Sequence, residues 1–129
     1  MKDIMELIGC HNVVSQTVVH EDTAAVYGSG SLEVFATPAM IALMERTCLE
    51  SVNDSLDDGL TTVGTHIDVS HLKASPIGSE IRCQSTLVEV DRRRLVFKVE
   101  CYEGSNLIGE GRHERFIVDS EKFMEKLKG

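Results

Sequence analysis

The chain has no excess of positive charge. Its 13 Lys and Arg stand against 21 Asp and Glu, a net of −8 in 129 residues. That balance excludes generic attraction to nucleic acid or an anionic membrane, although a local basic cluster can still hold a phosphate. No segment approaches the roughly 20 apolar residues of a membrane span. The opening Met1–Leu7 is acidic and has no apolar run, so no signal peptide is expected. Cys10, Cys48, Cys83 and Cys101 form no C-x-x-C pair and match no zinc spacing. They are expected to be reduced thiols in a cytoplasmic protein, all but Cys10 acting as small buried hydrophobes. No H-E-x-x-H or comparable ligand cluster occurs, so no metal is expected. Repeats, low-complexity tracts and linker-like stretches are also missing, which leaves one domain over residues 1–129. A hydrophobic fraction of 42% is enough to fill one core.

What is present divides at turn signals. Val13–His20 alternates as a strand, and Tyr27-Gly28-Ser29-Gly30-Ser31 is a flexible loop, either a lid or a connector. Thr37 has the character of a helix N-cap, with Pro38 at the first helical position. Met40, Ile41, Met44, Cys48 and Val52 then space an apolar face at helical period, and the helix should end between Asn53 and Asp58. After it the period falls to 2. Thr61–Leu72 places Val63, Thr65, Ile67, Val69 and His71 on one face, with Gly64, His66, Asp68 and Ser70 on the other. Further strands are expected at Glu80–Val90, at Arg94–Tyr102 (apolar face Leu95, Phe97, Val99, Cys101) and at Leu107–Val118, the last broken or bulged by Gly109 and Gly111. Ser120–Lys128 reads as a short terminal amphipathic helix.

Short turns between consecutive strands imply antiparallel pairing, and one long helix must cover one sheet face. The expected fold is therefore α+β: an antiparallel sheet wrapped around one central helix, the hot-dog architecture. A ferredoxin-like fold needs a second helix between strands. Five long strands leave an edge open, which commonly pairs across a homodimer.

Three residues, at a helix start, in the body of that helix and at the end of a strand, carry acyl-transfer chemistry. Thr37 reads as a cap, as an oxyanion-orienting hydroxyl, or as both, because backbone N–H groups gather at a helix start. Glu45 is either a solvated carboxylate or, if half buried, a base or nucleophile. Glu50, near the helix end among polar residues, is its more exposed rival. His71 is either a core-edge imidazole bonded to backbone or a proton shuttle. His66 points the opposite way, which argues against a two-histidine metal site. Thr37 and Glu45 are eight helical residues apart, roughly 12 Å, too far for a direct bond. A crossing strand or a second subunit must bring substrate between them. Arg92-Arg93-Arg94 is a solvated turn or a phosphate contact, with Lys73 as a further basic candidate. His113 and Arg115 share one strand face, and charged strand faces are usually exposed.

The order Ala36-Thr37-Pro38-Ala39-Met40, Met44-Glu45, Thr62-Val63-Gly64-Thr65, Asp68-Val69, His71-Leu72 and Glu89-Val90-Asp91, followed by Arg93-Arg94-Leu95, Leu107-Ile108-Gly109-Glu110-Gly111 and His113-Glu114-Arg115, resembles the fluoroacetyl-CoA thioesterase branch of the hot-dog thioesterases. The resemblance implies hydrolysis of an acyl-CoA by a dimer, without metal or redox cofactor. It implies a catalytic set of Thr37, Glu45 and His71, with Gly64 beside the acyl group and Arg115 at the site. It departs ahead of Thr37. The specialised enzymes carry aromatic lid residues there, whereas this chain has Gly28-Ser29-Gly30-Ser31-Leu32 with Tyr27 nearby. The expected substrate is thus a general or different short acyl-CoA. A non-catalytic acyl-CoA-binding or sensing module and an acyl-CoA hydratase are the alternatives on the same fold.

Overall fold

The structure, a computed structural model, describes residues 3–129. In chain order the elements are β1 (His11–Thr17), α1 (Ala24–Tyr27), α2 (Thr37–Asn53), β2 (Leu60–His71), β3 (Glu80–Asp91), β4 (Arg94–Glu103), β5 (Asn106–Asp119) and α3 (Ser120–Leu127), with short 3-10 turns at Ile4–Leu7 and His20–Asp22. None of the described helices is long and apolar enough to cross a membrane.

The spacing of Met40, Met44, Cys48 and Val52 turns one face of α2 inward, and all four are fully buried. Leu43 and Thr47 widen the buried stripe, and Ile41 lies at its border. Opposite them, every second residue of β4 (Leu95, Phe97, Val99, Cys101) is inaccessible to solvent, as the alternation requires. Each such side chain contributes about 1.5–3 kcal/mol when removed from water. Cys48, Cys83 and Cys101 are free thiols within this core, and Cys10 lies at its edge.

All strand pairs are antiparallel, in the order β1-β3-β4-β5-β2. This is the wrapped hot-dog arrangement around α2. The turn at Ser75–Gly78 does not make a hairpin, because β2 pairs with β5 instead of β3. The connection from residue 72 to 79 crosses over so that the curling sheet can enclose the helix. β2 is consequently an outer strand with one unpaired side.

Three local expectations are corrected. Ala36, and not Thr37, is the residue preceding α2, so Thr37 is already helical and its side chain makes no cap bond. β5 runs unbroken, with its irregularity at Ile108, between the partners of Cys101 and Tyr102, and none at Gly111. Gly109 is explained by proximity instead: a Cβ there would collide with the Met40 sulfur of α2. The third concerns β2, whose register shifts between Gly64 and His66. This bulge breaks the period of 2. Thr62 and Gly64 face the helix, as Val69 and His71 do, and Gly64 is not on the opposite face.

Candidate active site

The N-terminus of α2 and the end of β2 bring Thr37 and His71 together. Thr37 Oγ1 and His71 Nδ1 are hydrogen-bonded at 2.8 Å. Phe35 is buried just before the helix and meets the His71 ring edge-on, with centroids 6.3 Å apart. His71 Nε2 is buried without a partner. Burial holds the imidazole below its ordinary pKa, with the nearby Lys73 backbone opposing it, so His71 is neutral at neutral pH. The pair opens onto a cleft of about 280 Å³ lined by Ser29, Val34, Leu72 and Lys73. Ser29 brings the glycine- and serine-rich loop to that mouth.

Two turns along α2, Glu45 leaves the apolar stripe and lies against β2 and β5. Its Oε2 is 3.7 Å from Arg115 Nη1 and 3.9 Å from His113 Nε2, and 44% of its side chain is exposed. Gly64 makes this approach possible, since a Cβ there would lie 2.7 Å from Oε2. Arg115 is held from behind. Its Nε donates to Thr62 Oγ1 at 2.7 Å and its Nη2 to the Thr62 carbonyl at 2.9 Å. Burial lowers its pKa and the Glu45 carboxylate opposes that, but a guanidinium stays charged. The site is therefore a hydroxyl–imidazole couple at a helix start and, two turns along the same helix, a carboxylate braced by a buried cation.

Five of the six residues singled out from sequence thus fall into two neighbouring groups: Thr37 with His71, and Glu45 with Gly64 and Arg115. Among the described residues no hydrogen bond or ion pair joins the groups, in keeping with their separation along α2. Arg93 joins neither. It lies in the β3–β4 turn, beside a second, larger cleft of about 440 Å³ with Leu56, Leu60 and Ile117, at the far end of the helix. Glu50 is spent on an exposed i,i+4 pair with Arg46.

The charged face of β5 is where sequence reasoning failed. His113 and Arg115 are 1% and 6% exposed, not solvated. Burial is possible because Thr62, the His66 carbonyl and Glu45 satisfy them. The available signal was their phase with Ile117, an apolar residue buried on the same side of the strand. Thr62 and His113 are the site-forming residues that the sequence reading did not select.

The sequence profile of the family described as fluoroacetyl-CoA-specific thioesterase matches residues 18–121. The fluoroacetyl-CoA thioesterase of Streptantibioticus cattleyicolor is 38% identical over 96 residues, 74% of this chain and 69% of that one. A solved structure of the fluoroacetyl-CoA thioesterase FlK superposes with a TM-score of 0.88 at 32% identity, covering 94% of each chain. A Phe-to-Ala variant of FlK holding fluoroacetate and CoA gives 0.85 at 32%, over 90% of this chain and 98% of that one. A hot-dog-like protein from Thermanaerovibrio acidaminovorans shares the fold, with a TM-score of 0.89 at 21% identity over 98% of this chain and 95% of that one.

Proposed function

The chain belongs to the fluoroacetyl-CoA-specific thioesterase family, acyl-CoA thioester hydrolases, and from that premise we propose that it cleaves a short acyl-CoA without selectivity for fluoroacetyl-CoA, using Thr37, Glu45 and His71. The observation that carries the assignment is the braced approach of Glu45 to Gly64 beside the Thr37–His71 couple. Water adds the elements of H and OH across the acyl–sulfur bond, giving a carboxylic acid and CoA thiol. Glu45 either takes the proton from water or attacks the acyl carbon itself, in which case the carbon–sulfur bond breaks, the thiolate leaves and water then cleaves the mixed anhydride; Arg115 holds the carboxylate in place. With its own proton on Nε2, His71 accepts the Thr37 hydroxyl proton at Nδ1, and this couple passes a proton toward the departing sulfur. Because Glu45 stands roughly 12 Å along α2 from the Thr37–His71 couple of its own chain, the helix start and couple that serve this carbonyl are those of the partner protomer, and the helix start faces the developing oxyanion. The substrate reading rests on the Gly28–Ser31 loop, which brings only a serine to the cleft, the phenyl ring there being that of Phe35 from the segment just before α2.

The working unit we propose is a cytoplasmic homodimer built by antiparallel pairing of β2 with its copy. The unpaired edge of a 12-residue strand favours such pairing. It sets the Leu60 end of one protomer beside the His71 end of the other. Arg93, near the Leu60 end, then reaches the CoA phosphates of the partner's site.

Thiol release over a panel of acyl-CoA esters tests the reading. Glu45→Ala and His71→Ala should each lose turnover by orders of magnitude while keeping the wild-type fold. Tight CoA-ester binding without thiol release would indicate a binding module, and loss of enoyl absorbance without free thiol a hydratase. Either result overturns the proposal.

A further inference from the structure

We propose that His113 is a positioning residue for hydrolysis: as a fixed neutral acceptor it holds Arg115, and through Arg115 it aims Glu45. The inference rests on the reading of Glu45 as the reacting carboxylate.

His113 has partners of opposite role at its two nitrogens. Nδ1 lies 2.8 Å from the His66 carbonyl oxygen, which can only accept, so Nδ1 carries the proton. Nε2 lies 3.1 Å from Arg115 Nη1, which can only donate, so Nε2 presents its lone pair. The tautomer is set by geometry on both sides. The His66 carbonyl is available at the β2 bulge, where the register with β5 shifts. With Thr62 holding Nε and Nη2 and His113 holding Nη1, the guanidinium is fixed at three nitrogens. Its remaining reach is toward Glu45.

Protonation of His113 at Nε2 would reverse this. Two N–H donors would then oppose each other across 3.1 Å, and the new donor would compete for Glu45 Oε2, 3.9 Å away. The titratable and charged groups around the ring are Glu45 from α2, and Arg115 and Glu114 from β5. β2 contributes the His66 carbonyl and Gly64, and β4 contributes the uncharged Phe97 opposite His113 in register. Burial first, then Arg115, keep the imidazole below its ordinary pKa, against the His66 carbonyl and the two carboxylates. The acceptor state thus persists through neutral pH.

Two substitutions separate the nitrogens. His113→Asn keeps a donor near the His66 carbonyl and removes the acceptor facing Arg115. His113→Gln places an amide oxygen near the position of Nε2. The expected result is a fall in kcat of about tenfold to a hundredfold in His113→Asn, with KM little changed, because a misaimed group costs that much. His113→Gln should recover most of the loss and should not show the part of the wild-type acid limb that comes from position 113. Equal turnover in two folded variants, high or low, overturns the proposal. If either variant does not fold, nitrogen-15 NMR of histidine-labelled wild-type protein decides. A protonated Nδ1 and bare Nε2 at pH 7 support the proposal, and the opposite tautomer defeats it. Glu45→Gln separates the two levels. Wild-type turnover in that variant removes the reading of Glu45 and this inference with it. A dead Glu45→Gln beside a fully active His113→Asn removes only the role of His113.

Discussion

Gly64 and Glu45 are in contact across the gap between β2 and α2, and the missing Cβ is what lets the carboxylate in: an added one would lie 2.7 Å from Oε2. The backbone at Gly64 is not left-handed, so the glycine serves close approach and not a turn. Gly64→Ala should therefore spare the fold. The displaced atom is the end of a flexible, half-exposed side chain, and His113 Cε1, at 3.2 Å, must give by a few tenths of an ångström. Stability should fall by no more than about 1–2 kcal/mol in denaturant titrations. Turnover should fall by about a hundredfold, because Glu45 is re-aimed. A large loss of stability with intact turnover would show that the contact is only packing.

Thr37 offers a second separation of chemistry from folding. Its hydroxyl caps nothing and bonds His71 instead. Thr37→Val keeps the shape and removes the oxygen, so stability should drop by only about 1 kcal/mol, the value of one hydrogen bond. Thiol release should slow by about a hundredfold or more. Thr37→Ser should restore most of it. Equal rates in the two variants would remove the hydroxyl from the mechanism.

Two histidines make stability depend on pH in one direction. Burial, the largest influence on each, lowers the pKa of both His71 and His113 in the fold. Below the ordinary histidine pKa of about 6.5 the unfolded chain takes up protons that the folded one refuses. Their contribution is complete above that pH and is lost as pH falls toward and through the depressed values. Thermal midpoints should be flat near neutrality and decline on acidification below about pH 6.5. His113→Gln should decline less steeply over that window. A wild-type midpoint that rises on acidification in this range would contradict the sign.

The β2 edge makes a prediction about assembly. Ile67, at mid-strand, is 36% exposed beside an unpaired backbone. Lysine on an edge strand blocks strand addition. Ile67→Lys should convert a dimer to monomer in sedimentation velocity and abolish thiol release together. An Ile67→Lys monomer with full turnover would show that the site is complete in one chain.

The helix and the β4 face were readable because local spacing and burial agree there. Met40, Met44, Cys48 and Val52 repeat at helical period, Leu95 to Cys101 alternate, and no distant residue decides where they point. Thr37 was misread by one position because its hydroxyl has a tertiary partner 34 residues away. Arg115 looked like a surface charge because the groups that pay for its burial, Thr62 and Glu45, belong to other elements. Gly64 was put on the wrong face because a bulge leaves no compositional trace when none of its residues needs an unusual φ.

The irregularity in β2 also limits how this protein can change. With the extra residue, Thr62 and Gly64 before it and His71 after it all look toward α2. Thr65 is the residue left out of the pairing, so it is the bulge that keeps both halves facing α2: were Thr65 taken into the ladder, one half would turn outward and part the carboxylate's cradle from the imidazole. Loss of the Thr65 codon alone would leave every other residue on its present face, whereas any further gain or loss between Leu60 and His71 that no bulge absorbs would turn one half outward, so descendants should hold this strand to these two lengths even where letters drift.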